Sequence, residues 1–315
     1  MALSYDPEVL SLIMANLSEM EPLEVFERGD WAGRRAQINR TLPTVLGSLP
    51  AASPVAVRDF FTEAADGHKI LLRLYGQGTG GSLVVYLHGS GMIAGTVDLY
   101  DGLVRRHAAR SGVPFLAVDF RVAPEHPGTG PVEDALAGLT WAAAHADEIG
   151  IDPARIIVAG DSGGGGLAAG LALLARDRGG PPIARQILIY PMLDDRNIEP
   201  DPEIEPWAGW TYDDNATGWA ALLGDDRGTD RASPYAAPAR AADLSGLPPA
   251  YLEVGQLDIF RDETITYAMR LSRAGVEVEL YVHPGIGHGS ELVAPTAAVC
   301  QRLYANRIRA FQSLG

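Results

Sequence analysis

From residue 83 onward, short apolar runs alternate with stretches of helical length. This alternation constrains the fold more than any other feature of the chain. The runs are Leu83–Leu87, Phe115–Asp119, Arg155–Ala159, Gln186–Tyr190, Ala250–Val254 and Val276–Tyr281. Leu83-Val-Val-Tyr-Leu87 is apolar throughout, the mark of a strand buried on both faces. Helices are expected over about 98–111, 131–147, 164–178, 262–274 and 290–312. Repeated strand–helix–strand units predict an α/β chain with a mostly parallel central sheet and helices on both faces. Val55–Thr62 and Lys69–Tyr75 flank Asp66-Gly67 and predict an antiparallel hairpin at the sheet edge, with Gly76–Gly81 as the next turn.

Two stretches stand outside the alternation. Residues 1–50 read as helices, over Val9–Ala15 and Glu24–Thr41, and end in the loop Gly47–Pro54. Residues 193–248 are rich in Asp, Pro, Trp and Ala with no strand pattern, too long a gap for plain loop. A helical insertion is expected there, forming with the N-terminal helices a cap over one end of the sheet. The length of 315 residues would allow about two domains. The expected division is instead one sheet domain, 51–192 plus 249–315, carrying a discontinuous cap.

The formal charge of −15 argues against nucleic acid or an anionic membrane as partner, since both demand a positive footprint. Lys69 is the single lysine, so Schiff-base and P-loop chemistry are excluded elsewhere in the chain. The single cysteine, Cys300, cannot close a disulfide within the chain and reads as a small buried hydrophobe on a late helix. No signal-like or bilayer-length apolar stretch is present, and a cytoplasmic location is the expectation.

The densest chemistry lies at Ile156-Ile-Val-Ala-Gly160-Asp161-Ser162-Gly163-Gly164-Gly165, where a strand runs through Gly-x-Ser-x-Gly into a helix. This is the nucleophile-elbow pattern. Gly160 and Gly164 flank the serine because a Cβ would clash where the chain doubles back. The helix N-terminus behind Ser162 supplies N–H groups and a positive dipole for a developing oxyanion. Gly163–Ala168 also fits G-x-G-x-x-A, with Asp194 after the next strand. A dinucleotide fingerprint belongs on the first strand–helix turn, however, and this one lies deep in the chain.

His88-Gly89-Ser90-Gly91-Met92 follows the buried strand 83–87 and matches the loop that adds oxyanion N–H donors, with Ser90 in place of the middle glycine. Of seven histidines, His288 is the expected general base, in the open Pro284-Gly-Ile-Gly-His288-Gly-Ser; His283 lies closer to its strand. The orienting acid should precede the histidine, and Asp258 does so just past strand 250–254. Asp262 and Glu263 read as first-turn helix charges. Asp194-Asp195, Asp213-Asp214 and Asp225-Asp226 read as solvated loop caps rather than a calcium site. No metal-ligand cluster is recognisable, and neither metal nor cofactor is expected.

Taken together, these motifs resemble the hormone-sensitive-lipase family of bacterial esterases, on the α/β-hydrolase fold. The resemblance rests on His88–Gly91, Asp119–His126, Val132–Ala135, Gly160–Gly164, Tyr190-Pro191, Asp258–Glu263 and Pro284–Gly289. It implies a serine carboxylesterase acting on short-to-medium acyl esters, oxyanion donors at Gly89, Ser90 and Gly163, and a cap made from the first fifty residues and 193–248. Ser90 departs from the usual glycine run, and Gly163 stands where many members carry alanine. Trp207, Trp210, Tyr212 and Trp219, with Met92, are the candidate walls of a substrate pocket. A deacetylase or lactonase for one metabolite is the alternative. A homodimer through the C-terminal region would follow many relatives.

Overall fold

The computed structural model describes residues 3–19 and 24–314; Met1, Ala2, residues 20–23 and Gly315, which fall within the expected terminal ranges, lie outside the described residues. Two helices open the chain, α1 (Pro7–Glu19) and α2 (Trp31–Gly47). Then come β1 (Val57–Glu63), β2 (Lys69–Tyr75), β3 (Gly81–Leu87), α3 (Val97–Ser111) and β4 (Phe115–Val118). They are followed by α4 (Gly130–Ala144), the short α5 (Ala146–Ile149), β5 (Ile151–Asp161), α6 (Gly163–Arg178) and β6 (Arg185–Ile189). After α7 (Tyr212–Leu223) the chain closes with β7 (Ala250–Gly255), α8 (Arg261–Arg273), β8 (Val278–His283), α9 (Ser290–Val293) and α10 (Ala298–Phe311).

The strands form one eight-stranded sheet in the order β1-β2-β4-β3-β5-β6-β7-β8. The β1–β2 hairpin is antiparallel, as is β2 against β4; every later pairing is parallel. This is the expected α/β-hydrolase arrangement. The apolar run 83–87 lies at the centre and is fully buried, with Val85 beside Leu116 of β4 and Val158 of β5.

Several element bounds differ from expectation for identifiable reasons. Helix α2 starts at Trp31 rather than near Glu24, because Asp30 accepts from Gly33 N at 2.8 Å and caps it. The helix expected over 290–312 divides into α9 and α10. Pro295 lacks an N–H and disfavours helical backbone at Ala294, which sits at φ −130°, ψ 54°. The helix expected over 131–147 ends at Ala144, where the His145 ring donates through Nδ1 to Trp141 O at 2.9 Å. Among the described residues, 193–248 holds one α-helix and short 3₁₀ turns at 205–207, 224–226 and 238–240, less helix than expected.

Helix α2 packs on α7 through charge. Arg34, 4% exposed, donates through Nε to Asp214 at 2.6 Å, and its Nη groups reach the carbonyls of Phe26, Glu27 and Asp30. Asp214 also closes a capping box with Thr211 at the start of α7. The acidic pairs are therefore not simply solvated. Asp195 is fully buried, bound by Arg240 at 2.7 and 2.8 Å and by Gly228 N at 2.6 Å. Among the described residues no group of three or more His, Cys, Asp or Glu is placed to hold a metal ion, and no helix is long and apolar enough to cross a membrane.

Candidate active site

Parallel strands bring their C-terminal ends to one edge of the sheet, and the loops leaving β3, β5, β7 and β8 meet there. Strand β5 passes into α6 through Ser162, which holds φ 55°, ψ −120°, a conformation rare outside glycine. The turn is this tight because the backbone touches itself. A Cβ on Gly160 would strike the Gly164 carbonyl, and one on Gly164 would strike the carbonyls of Leu87 and His88. Ser162 N–H donates to Ile189 O at 2.9 Å, tying the elbow to β6.

The structure brings the three predicted residues into one chain of hydrogen bonds. His288 Nε2 lies 3.0 Å from Ser162 Oγ, and His288 Nδ1 lies 2.8 Å from Asp258 Oδ2. Nδ1–H donates to the carboxylate, which leaves Nε2 to accept from the serine hydroxyl. Asp258 is fully buried; its other oxygen accepts from Phe260 N at 2.9 Å. Burial opposes a charge on His288, but the Asp258 carboxylate, helped by Glu291 and Asp161, outweighs it and raises the imidazole above its ordinary value. Tyr190 and Phe260 meet the imidazole edge to face, with centroids at 4.7 and 5.2 Å.

The oxyanion loop is bent through residues of positive φ, with Ser90 at 83°, Gly91 at 62° and Met92 at 63°. Ser90 thus occupies the backbone region that the missing glycine would favour, and its Oγ lies 3.2 Å from Tyr100 Oη. The N–H groups of Gly89, Ser90 and Gly163 donate to no backbone carbonyl among the described residues. A Cβ on Gly163 would come 2.8 Å from Met92 N, so the close approach of the oxyanion loop accounts for glycine at this position. Beneath the loop, Asp161 accepts from Tyr86 Oη at 2.6 Å, and burial pushes its carboxyl up to about 6. His88 stacks between Tyr100 and Phe120, at 5.1 and 4.4 Å, and bonds through Nδ1 to Gly89 O at 3.0 Å. Burial lowers its pKa, so it pins the loop as a neutral ring.

A cleft of about 590 Å³ opens at His288, lined by Tyr5, Phe26, Ala208, Gly209 and Tyr212 among others. Tyr212 is where the sequence places it. Trp207 stands behind Tyr5, edge to face at 5.8 Å, with its carbonyl accepting from the Tyr5 hydroxyl at 2.9 Å. Trp210 lies against Gly91 and covers the oxyanion loop. Trp219 and Met92 are corrections: at 0% and 1% exposure they belong to the core and face no open cleft. Tyr5 and Phe26 also line the cleft, and neither sits in a sequence motif. Glu263 is likewise more than a first-turn charge. It is buried, accepts from Leu193 N at 2.6 Å and from Asn197 Nδ2 at 2.6 Å, and so anchors the start of the 193–248 segment.

Of the rejected candidates, His283 is buried at the end of β8, and burial pushes it down to about 4. Cys300 is buried in α10, and burial pushes its thiol up to about 12.

The family described as alpha/beta hydrolase fold matches residues 84–292. Esterase LipI of Mycobacterium tuberculosis is 39% identical over 238 residues, 72% of each chain. Carboxylesterase NlhH of the same organism is 40% identical over 222 residues, 69% of each chain. A solved bacterial heroin esterase superposes with a TM-score of 0.87 at 38% identity, covering 99% of this chain and 98% of that one. The chain belongs to the α/β-hydrolase-fold family, among the hormone-sensitive-lipase-like esterases, and is a carboxylic-ester hydrolase.

Proposed function

We propose that the protein cleaves short-to-medium acyl esters by two-step acyl transfer at Ser162. The observation that carries this reading is the hydrogen-bonded series Ser162–His288–Asp258 at the strand ends. Ser162 Oγ attacks the ester carbonyl while His288 Nε2 takes its proton. Asp258 holds the imidazole tautomer and stabilises the imidazolium. The N–H groups of Gly89, Ser90 and Gly163 receive the tetrahedral oxyanion, each worth about 3–4 kcal/mol in comparable sites. His288 then protonates the leaving alcohol, and water, activated by the same imidazole, releases the acid and restores Ser162. The buried triad needs neither metal nor cofactor for these steps.

Residues 1–50 and 193–248 act in this reading as a cap that shapes the cleft; the ion pairs of Arg28 and Arg34 with α7 and the cleft lining support it. The cleft volume suits a small ester, and the net charge of −15 disfavours residence on anionic lipid or binding to nucleic acid. A cytoplasmic enzyme is the proposal, and β8, an edge strand with Val282 exposed, supports a homodimer. The likeness to a heroin esterase favours a second reading, deacetylation of one particular metabolite with a bulky alcohol. Fluorophosphonate labelling that Ser162→Ala abolishes tests the chemistry. A p-nitrophenyl ester series tests the range: efficiency greatest on long acyl chains would reject the short-to-medium preference.

A further inference from the structure

Outside the triad, one cluster of buried charges lies behind His288. Arg307 of α10 is 1% exposed, Glu253 of β7 0% and Glu291 of α9 5%. Arg307 Nε donates to Glu253 Oε1 at 2.7 Å, and Nη2 donates to Glu291 Oε1 at 2.8 Å. Tyr251 Oη donates to the second Glu253 oxygen at 2.6 Å. Burying such a group costs desolvation that its attraction repays only in part, and apolar residues of equal volume would join the same elements at least as well. Stability alone does not account for it.

What the cluster grips is Tyr190. This residue leaves β6 at φ 34°, left-handed for a non-glycine. Its N–H donates to the main-chain carbonyl of Glu253 in β7 at 2.7 Å, which fixes its backbone, and its hydroxyl donates to the Glu291 carboxylate at 2.8 Å, which fixes its ring. The Arg307 guanidinium stands 5.7 Å from its ring centroid. The same ring meets the His288 imidazole at 4.7 Å and 64°, while Phe260 meets it at 5.2 Å and 80°. Glu291 follows His288 by three residues, on the short helix that ends the histidine loop.

We propose that Arg307, Glu291 and Tyr190 form a positioning unit for His288, in which the buried ion cluster clamps Tyr190 against the imidazole and holds Nε2 on Ser162. The inference rests on the reading of His288 as the base. It also explains why α10, remote from the substrate, sends a charged side chain into the interior. The groups that face His288 are Asp258 from the β7–α8 loop, Glu291 from α9, Asp161 from β5, Tyr190 from the end of β6 and Tyr5 from the N-terminus, with Arg307 and Glu253 behind Glu291. Three carboxylates favour the imidazolium. Burial alone would push the Glu291 carboxyl up, but Arg307 outweighs it and holds Glu291 ionised, below the ordinary carboxyl value.

The test compares wild type, Ser162→Ala, Glu291→Gln and Tyr190→Phe by kcat, KM, pH profile, fluorophosphonate labelling rate and thermal melting. Glu291→Gln keeps an acceptor for Tyr190 but loses the charge. Its kcat should fall about ten- to a hundred-fold, as for a reacting group displaced by up to about 1 Å, and its labelling should slow in parallel. Its KM should stay within about twofold, and its acidic limb should move to lower pH. Tyr190→Phe keeps the ring and loses the tether, so kcat and labelling should fall with KM and the limb little changed. Wild-type kcat and labelling rate in a folded Tyr190→Phe protein would overturn the proposal, as would losses in both variants that merely track the unfolded fraction. If Glu291→Gln does not fold, Tyr190→Phe decides alone. Turnover surviving in Ser162→Ala would instead overturn the triad reading, and this inference with it.

Discussion

The sheet edge that carries Ser162 and the helical segments that line the cleft at His288 are built by different physics. On the sheet side, the loop at 88–92 runs through three consecutive residues of positive φ, and the elbow at 160–164 turns on Ser162, at positive φ, with glycines against carbonyls. On the other side, α7 is joined to α2 and to the segment before it by charged side chains far apart in sequence, Arg34 of α2 with Asp214 and Arg28 with Asp213. Backbone contacts of the first kind tolerate almost no substitution. Contacts of the second kind are exchanged against water, and their worth scales with burial. In the proposed mechanism, bond breaking then rests on the first region and substrate choice on the second. Changes on the sheet side should lower kcat, and changes on the helical side should move KM or stability.

Ser162→Ala should have the largest effect, a loss of roughly 10⁶-fold in kcat as in other triad enzymes, with the melting temperature unchanged. A residual activity near wild type would break the comparison at its root. Next comes Asp258→Asn, with a loss of about 10⁴-fold. His288 must be neutral to accept the serine proton, so kcat/KM rises with pH through the imidazole pKa. That pKa is raised by the Asp258 carboxylate against the burial that opposes it, so the acidic limb of the wild type should lie above the ordinary histidine value near about 6.5. In Asp258→Asn the limb should move down; a limb that stays or rises contradicts the assignment.

On the helical side, Asp214→Ala leaves Arg34 buried without its carboxylate. With Asp214 itself 23% exposed, a loss of about 2 kcal/mol is expected, between the surface and buried extremes. KM should rise while kcat on a small acetate changes little; a large kcat loss would show that the two regions are coupled. Arg28→Ala should do least. The Arg28–Asp213 pair is 50% and 54% exposed, so its removal should cost under about 1 kcal/mol, and nothing measurable at high salt.

The same contrast decides what could be read from the sequence. The elbow, the loop at His88 and the candidate triad are legible because each sits in a short motif, and the strands, though not their order, are legible as buried apolar runs. The helical side is not, because Tyr5 and Arg34 acquire their roles from partners more than 170 positions away, Trp207 and Asp214. Trp219 has the composition of a pocket wall but points into the core, since the direction of a side chain on a helix depends on what the helix packs against. Glu253 did carry a signal: it is a lone acid inside the apolar run Ala250–Val254, and such an acid needs a buried partner, here Arg307.

Arg35 of α2 donates to the carbonyls of Ile93 and Ala123, each at 2.6 Å, and to Glu125 at 2.8 and 2.6 Å, with its guanidinium 4.6 Å from the Trp31 ring. Ile93 is the residue after the left-handed turn Ser90–Met92. The N-terminal segment is thus not an exchangeable module. Transplanting it from a relative to alter selectivity would also loosen the loop that receives the oxyanion, unless the arginine travels with it.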